Sequence, residues 1–175
     1  MKELATKEQE ETKGESLRVK KAEDIVDRVQ QTFDLIAKRA YEIFKNSGHT
    51  FGHDLEDWFK AESDLLHPVH IELKETDGAI SVRAEVPGFT ADEVDIALEP
   101  RRLTIRGKKE TKSEEKKGQT IYTECSSNQF LRVLDLPAEA DLDKTATATL
   151  KNGILELEIP KAAARKKVPI ESKAA

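Results

Sequence analysis

Ala148-Thr-Leu-Lys-Asn-Gly-Ile-Leu-Glu-Leu-Glu-Ile-Pro160 is two short strand-like runs joined by Asn152-Gly153. An Asn-Gly pair between apolar runs signals a tight hairpin, because the primed turns that suit twisted strands need positive φ at their central residues. Beyond the turn, Leu155, Leu157 and Ile159 point one way and Glu156 and Glu158 the other, until Pro160 ends the pairing. A period of two marks a strand with one buried face and one wet face. The hairpin therefore predicts an antiparallel sheet that it helps to complete.

The same period runs upstream. Val69, Ile71 and Leu73 alternate with His70, Glu72 and Lys74, and Asp77-Gly78 then turns the chain into Ile80, Val82, Ala84 and Val86. Val94, Ile96 and Leu98 form a further run that stops at Glu99-Pro100, and Leu103 and Ile105 form another that ends near Gly107. Short strands separated by turns, with no helical pattern between them, predict an immunoglobulin-like all-β sandwich over residues 68–160. Residues 108–117 break the rhythm with eight charges in ten positions. They lead to Thr120, Ile121 and Tyr122, a short strand on a polar excursion with nothing local to pair with. Such a strand suits exchange with a second subunit, the plainer alternative being a surface loop. Phe130, Arg132, Leu134 and Leu136 then alternate up to Pro137. A guanidinium on an apolar face requires a partner, unless the register leaves Arg132 at an edge.

The ends of the chain read differently. Residues 1–20 mix charges of both signs with scattered apolar side chains and are expected to be disordered or a frayed helix. Ile25, Val29, Phe33, Ile36, Ala40, Ile43 and Phe44 recur at helical spacing, so residues 22–46 are predicted helical, closed by Gly48. A second helix over residues 54–66 begins at Asp54 as N-cap, carries Leu55, Trp58, Phe59, Leu65 and Leu66, and stops at His67-Pro68. Phe33, Ile36, Phe44, Trp58 and Phe59 thus line an apolar stripe that needs a covering surface, another subunit or a sticky client. Residues 161–175 form a small, basic tail with an isolated Val168-Pro169-Ile170. Pro169 favours an extended backbone, which puts Val168 and Ile170 on one side as a plug for an apolar groove at a sheet edge. Burying both contributes roughly 3–6 kcal/mol before the ordering cost, so one plug is weak and many hold by avidity.

Composition excludes several classes of function. The 175 residues are 36% charged and only 5% aromatic, with a net charge of −5, which disfavours general nucleic-acid binding. The N-terminus is charged rather than apolar and no run is long enough to span a bilayer, so no secretory signal or stable membrane insertion is expected. Cys125 is the single cysteine; it rules out an internal disulfide, fits a reducing cytoplasm, and reads as a strand-edge cysteine rather than a redox thiol. No phosphate loop or nucleophile elbow occurs among the glycines. The pairs His49/His53 and His67/His70 lack companion ligands. No enzymatic activity, metal or cofactor is expected.

Five pieces in order resemble the α-crystallin domain of the small heat shock proteins, the Hsp20 family. They are Glu85-Val-Pro-Gly-Phe89, Leu103-Thr-Ile-Arg-Gly107, Phe130-Leu-Arg-Val-Leu-Asp-Leu-Pro137, Ala148-Thr-Leu-Lys-Asn-Gly-Ile-Leu155 and Val168-Pro-Ile170. Asn128-Gln129 stands where the family frequently has a glycine. The segment from Arg39 through Glu62 also resembles a short bacterial helical motif of uncharacterised function. The Hsp20 resemblance implies an ATP-independent holdase that keeps unfolding clients from aggregating and assembles from dimers into a larger homo-oligomer. It implies a strand at Thr120, Ile121 and Tyr122 that pairs with a partner subunit, and an Arg132 that stabilises the dimer by ion pairing. It places the groove for Val168, Pro169 and Ile170 along Val94, Ile96, Leu98, Ala148 and Leu150, beside the turn residues Asn152, Gly153, Ile154 and Leu155. Clients would meet the N-terminal stripe, and ATP-dependent refolding chaperones would be further partners. The alternative is a monomeric co-chaperone or adaptor with a p23-like sandwich.

Overall fold

The computed structural model describes residues 14–117 and 120–163, with side chains outside 112–127. Two antiparallel sheets form the predicted sandwich. The first contains β1 (Glu15–Leu17), β3 (Ile71–Glu75), β4 (Ala79–Glu85), β8 (Thr147–Lys151) and β9 (Ile154–Pro160), in the order β1-β8-β9-β4-β3. The second contains β2 (Val19–Lys20), β5 (Val94–Glu99), β6 (Arg102–Lys117) and β7 (Thr120–Asp135), in the order β2-β5-β6-β7. Among the described strands only β2 runs parallel to its neighbour.

The alternating residues meet between the sheets. Ile80, Val82, Ala84, Ile96, Leu103, Ile105, Phe130, Leu155, Leu157 and Ile159 belong to one buried cluster. The Asn152-Gly153 turn has the expected geometry, with φ of 52° and 74°, and it joins β8 to β9 in the register Lys151↔Ile154. At Gly107 the need is spatial. Phe130, its cross-strand neighbour, lies over it and meets Phe89 edge-on at 5.0 Å between ring centroids.

Two helices cover the second sheet. α1 (Val26–Asn46) and α2 (Asp54–Leu65) form the expected pair, and Gly48, at φ 80°, follows α1 as anticipated. His53, rather than Asp54, occupies the N-cap of α2; it makes no side-chain cap bond, and its Nδ1 lies 2.8 Å from Glu56 Oε2. Arg39 binds Asp64 across the pair at 2.8 Å. Ile25, Thr32 and Ile36 are buried, as are Asp95, Ala97 and Arg106 on the outward face of β5 and β6. Both faces of β5 are therefore closed, one by the core and one by the helical layer.

Two sequence expectations are corrected. Residues 14–20 are ordered, not disordered: Glu15, Ser16 and Leu17 pair with Leu150, Thr149 and Ala148, and Val19 and Lys20 pair with Ile96 and Ala97. Their low apolar content misleads because the partner strands supply most of the buried surface. Likewise, β6 does not end near Gly107 but continues to Lys117, paired throughout with β7, so Thr120, Ile121 and Tyr122 face Lys117, Lys116 and Glu115 of the same chain. Beyond Gly107, β7 is the only strand partner of β6 among the described residues. A two-stranded ribbon needs no apolar face, so a charge-rich segment can remain a strand as long as its backbone groups are paired.

Candidate assembly and client-binding surfaces

The groove residues expected along β5 and β8 do converge. Val94, Ile96 and Leu98 face inward from β5, and Ala148 and Leu150 face inward from β8; all five are buried. These two strands would be the facing edges of the two sheets if residues 15–20 were absent. Instead, β1 adds to β8, the chain crosses at Arg18, and β2 adds to β5. Leu17 joins the buried cluster and Val19 packs against it, so both fill the mouth of the groove. Ile154 is half-buried at the turn and Leu155 fully buried behind it. Val168, Pro169 and Ile170 lie outside the described residues.

A charged node fixes this arm and the helical layer to the sandwich. Asp95 accepts hydrogen bonds from Lys20 Nζ at 2.6 Å and from Arg28 Nη1 at 2.7 and 2.8 Å. Arg106 Nη1 stands 3.5 Å from the other side of the carboxylate, and Arg106 Nε donates to Thr32 Oγ1 at 3.3 Å. One carboxylate thus ties together β2, α1, β5 and β6. Burial disfavours its charge, but the hydrogen bonds from Lys20 and Arg28 outweigh that, and the Asp95 carboxyl is held below the usual carboxylate range. Burial pushes the Arg106 guanidinium down from its ordinary value, and the Asp95 charge opposes that shift. Arginine titrates so high that it remains a cation.

This node holds the buried arginine, not Arg132. By register Arg132 sits beside Ile105, yet it is exposed, on the outer strand of its sheet. Among the described residues it makes no ion pair, and its exposure matches the alternative in which Arg132 lies at an edge. The linker from α2 touches the same rim: His67 N–H donates to the Gln129 carbonyl at 2.8 Å, and His67 Nε2 lies 3.1 Å from Asn128 Oδ1.

The helical stripe divides in two. Ile36 is buried against the sheet and Phe44 and Trp58 are half-buried, with Trp58 stacked on Phe33 at 6.4 Å. Phe33 remains 40% exposed and Phe59 62%, and Tyr41, Phe51 and Leu55 add further exposed apolar surface. Among the described residues no cluster of three or more His, Cys, Asp or Glu could hold a metal ion, and no helix is long and apolar enough to cross a membrane.

Sequence reasoning missed Leu17, Val19, Lys20, Arg28, Thr32, Asp95 and Arg106. Leu17-Arg-Val-Lys20 does alternate, although over only four residues.

Comparison with known proteins fits this architecture. The Hsp20/alpha crystallin family model matches residues 72–173, more than half of the chain. The chain belongs to the Hsp20/alpha crystallin family. Residues 31–66, which include α2 and most of α1, match a second family model described as a protein of unknown function (DUF2934). Small heat shock protein C2 of Rickettsia felis is 38% identical over 133 residues, covering 76% of this chain and 82% of that protein. The 18.0 kDa class I heat shock protein of Daucus carota is 34% identical over 109 residues, covering 62% and 68%. Heat shock protein 16.0 from Schizosaccharomyces pombe superposes with a TM-score of 0.43 at 27% identity, over 60% of this chain and 99% of that one. Small heat shock proteins are stress-response chaperones, not enzymes, so the surfaces of this Hsp20-family chain are read as binding surfaces.

Proposed function

We propose that the protein is an ATP-independent holdase that binds unfolding proteins and prevents their aggregation under heat or other stress in the cytoplasm. The observation that carries this reading is the exposed apolar surface of the helical layer. Phe33, Tyr41, Phe51, Leu55 and Phe59 are 40–83% exposed in a chain whose residues are 36% charged. Unfolding clients display apolar segments that would bury such side chains, while the charged remainder keeps the loaded complex in solution.

Self-association extends the same reading. The ribbon tip at Thr120, Ile121 and Tyr122 would pair with a second subunit, and Arg132, exposed at the outer edge of β7, would meet a carboxylate there. Val168, Pro169 and Ile170 would link dimers through the β5/β8 groove, and clients held on the oligomer would pass to ATP-dependent refolding chaperones. The experiment is aggregation of a heated client without nucleotide. A stoichiometric amount of the protein should suppress light scattering, and undiminished aggregation refutes the holdase.

A further inference from the structure

We propose that residues 14–20 are an internal occupant of the β5/β8 groove that competes with the tail motif Val168-Pro169-Ile170 for the same seat, so that release of this arm licenses tail-mediated assembly. The inference rests on the reading of the tail as an assembly plug, and it adds the regulation of that plug.

The arm and the tail share a pattern. Leu17-Arg18-Val19 and Val168-Pro169-Ile170 each place two aliphatic side chains one residue apart. In an extended backbone such a pair projects from one side. The arm already uses the groove in the way the tail is expected to use it: Leu17 lies opposite Ala148, Val19 beside Ile96, and the apolar side chains turn inward. A strand edge offers one row of free N–H and C=O groups, so β8 cannot accept a second strand on that side while β1 is paired there. The two segments therefore exclude each other.

Which segment wins depends on tethering and on the latch. The arm is joined to the sandwich through α1, α2 and the linker, and it is clamped at its far end by Lys20 and Arg28 on Asp95. An intramolecular strand acts at an effective concentration near the millimolar range, whereas a tail from another subunit arrives at its bulk concentration. A lone protomer therefore keeps the groove closed. In a particle, many tails act together and avidity offsets this advantage.

A reversible clamp tests the competition. Ser16 and Thr149 are cross-strand neighbours and both are exposed, so Ser16→Cys with Thr149→Cys, in a Cys125→Ser background, can lock the arm by a disulfide. The probe is a fluorescent peptide of residues 164–175, added to full-length protein whose own tail is disabled by Val168→Asp and Ile170→Asp. Anisotropy should show no binding to the oxidised clamp and recovered binding after reduction. Leu17→Ser with Val19→Ser, in the same tail-disabled chain, should bind the peptide about tenfold more tightly than the unaltered arm, as expected when a competent state rises from a minor population to the whole. With the native tail restored, the oxidised clamp should form smaller particles by light scattering than the reduced one. Equal peptide affinity for oxidised and reduced clamps overturns the proposal, as does an absence of binding to every form. Because none of these readouts involves a client, they fail or succeed independently of the aggregation assay.

Discussion

Replacing Gly107 with alanine is the most direct test of how the sandwich is packed. Gly107 has an ordinary strand φ, so its backbone would accept any residue; the constraint comes from the ring above it. A Cβ built at this position would lie 2.7 Å from Phe130 Cδ1 and 2.8 Å from Cζ, closer than real Cβ atoms come, with a third ring atom nearer still. Phe130 cannot swing away freely, because it is 1% exposed and its ring is braced against Phe89. Overpacking of this kind costs about 1–3 kcal/mol, offset by about 0.4–1 kcal/mol from the reduced freedom of the unfolded chain. The net loss should be about 1–2 kcal/mol, or roughly 2–8 °C in Tm for a chain of this length. Thermal and urea unfolding, followed by circular dichroism at one fixed protomer concentration, would measure it, since self-association makes Tm concentration-dependent. A companion variant, Gly107→Ala with Phe130→Leu, removes the ring atoms that clash and should be less destabilised than the sum of the two single changes by at least about 0.5 kcal/mol. If Gly107→Ala is as stable as the parent, or if the pair is strictly additive, the ring-over-glycine explanation is wrong.

Asp95→Asn should cost about 2–4 kcal/mol. Removing one partner of a buried pair leaves Arg106 (7% exposed) uncompensated, while the half-exposed Arg28 loses little; urea unfolding would show it. The carboxyl of Asp95 is held below its ordinary value of 3.8, so its contribution is complete above that pH and is lost as pH falls through the lower folded value. The Asp95 contribution should therefore be lost only in acid, and Asp95→Asn should weaken that acid limb in pH-dependent unfolding. Val168→Ala with Ile170→Ala should reduce the assembly to dimers in light scattering, and an unchanged particle mass would contradict the plug. Leu55→Ser with Phe59→Ser should leave Tm within about 1–2 °C, because both side chains are largely exposed, yet lower client protection severalfold in the nucleotide-free aggregation assay.

The sandwich was legible because its strands carry their own evidence. Each inward run alternates over five to seven residues, as in Ala79–Glu85 and Ile154–Pro160, and the Asn152-Gly153 turn fixes a register that local pattern alone could supply. The helical pair was legible for the same reason at a different period. The Asp95–Arg106 contact was less visible, although a signal existed. The turn after Glu99 sets the register Glu99↔Arg102, and counting back along both strands brings Asp95 opposite Arg106. Reading those two as a buried pair required knowing that α1 covers the outward face of β5, and no local pattern says so. Arg132 misled in the opposite sense. Its position in the alternation is inward, but alternation gives direction without saying whether the sheet extends beyond that strand.

The arm was illegible for a more general reason, which also bears on its role. Burial patterns are read from the residues that do the burying, and a two- or three-residue strand laid on an existing sheet brings little apolar surface of its own. Leu17 and Val19 are enough here because the groove contributes Ile96, Leu98, Ala148 and Leu150. An apolar groove between two open edges would be an aggregation liability for a single chain, so covering it is a requirement of solubility before it is a means of regulation. A cover made of two short strands opens at a lower free energy than the sheets beneath it, since segments with few buried contacts unfold locally before the core does. Rising temperature would therefore bare the groove while the sandwich is still folded. The short length that hid the arm from sequence reasoning is what suits it to yield first.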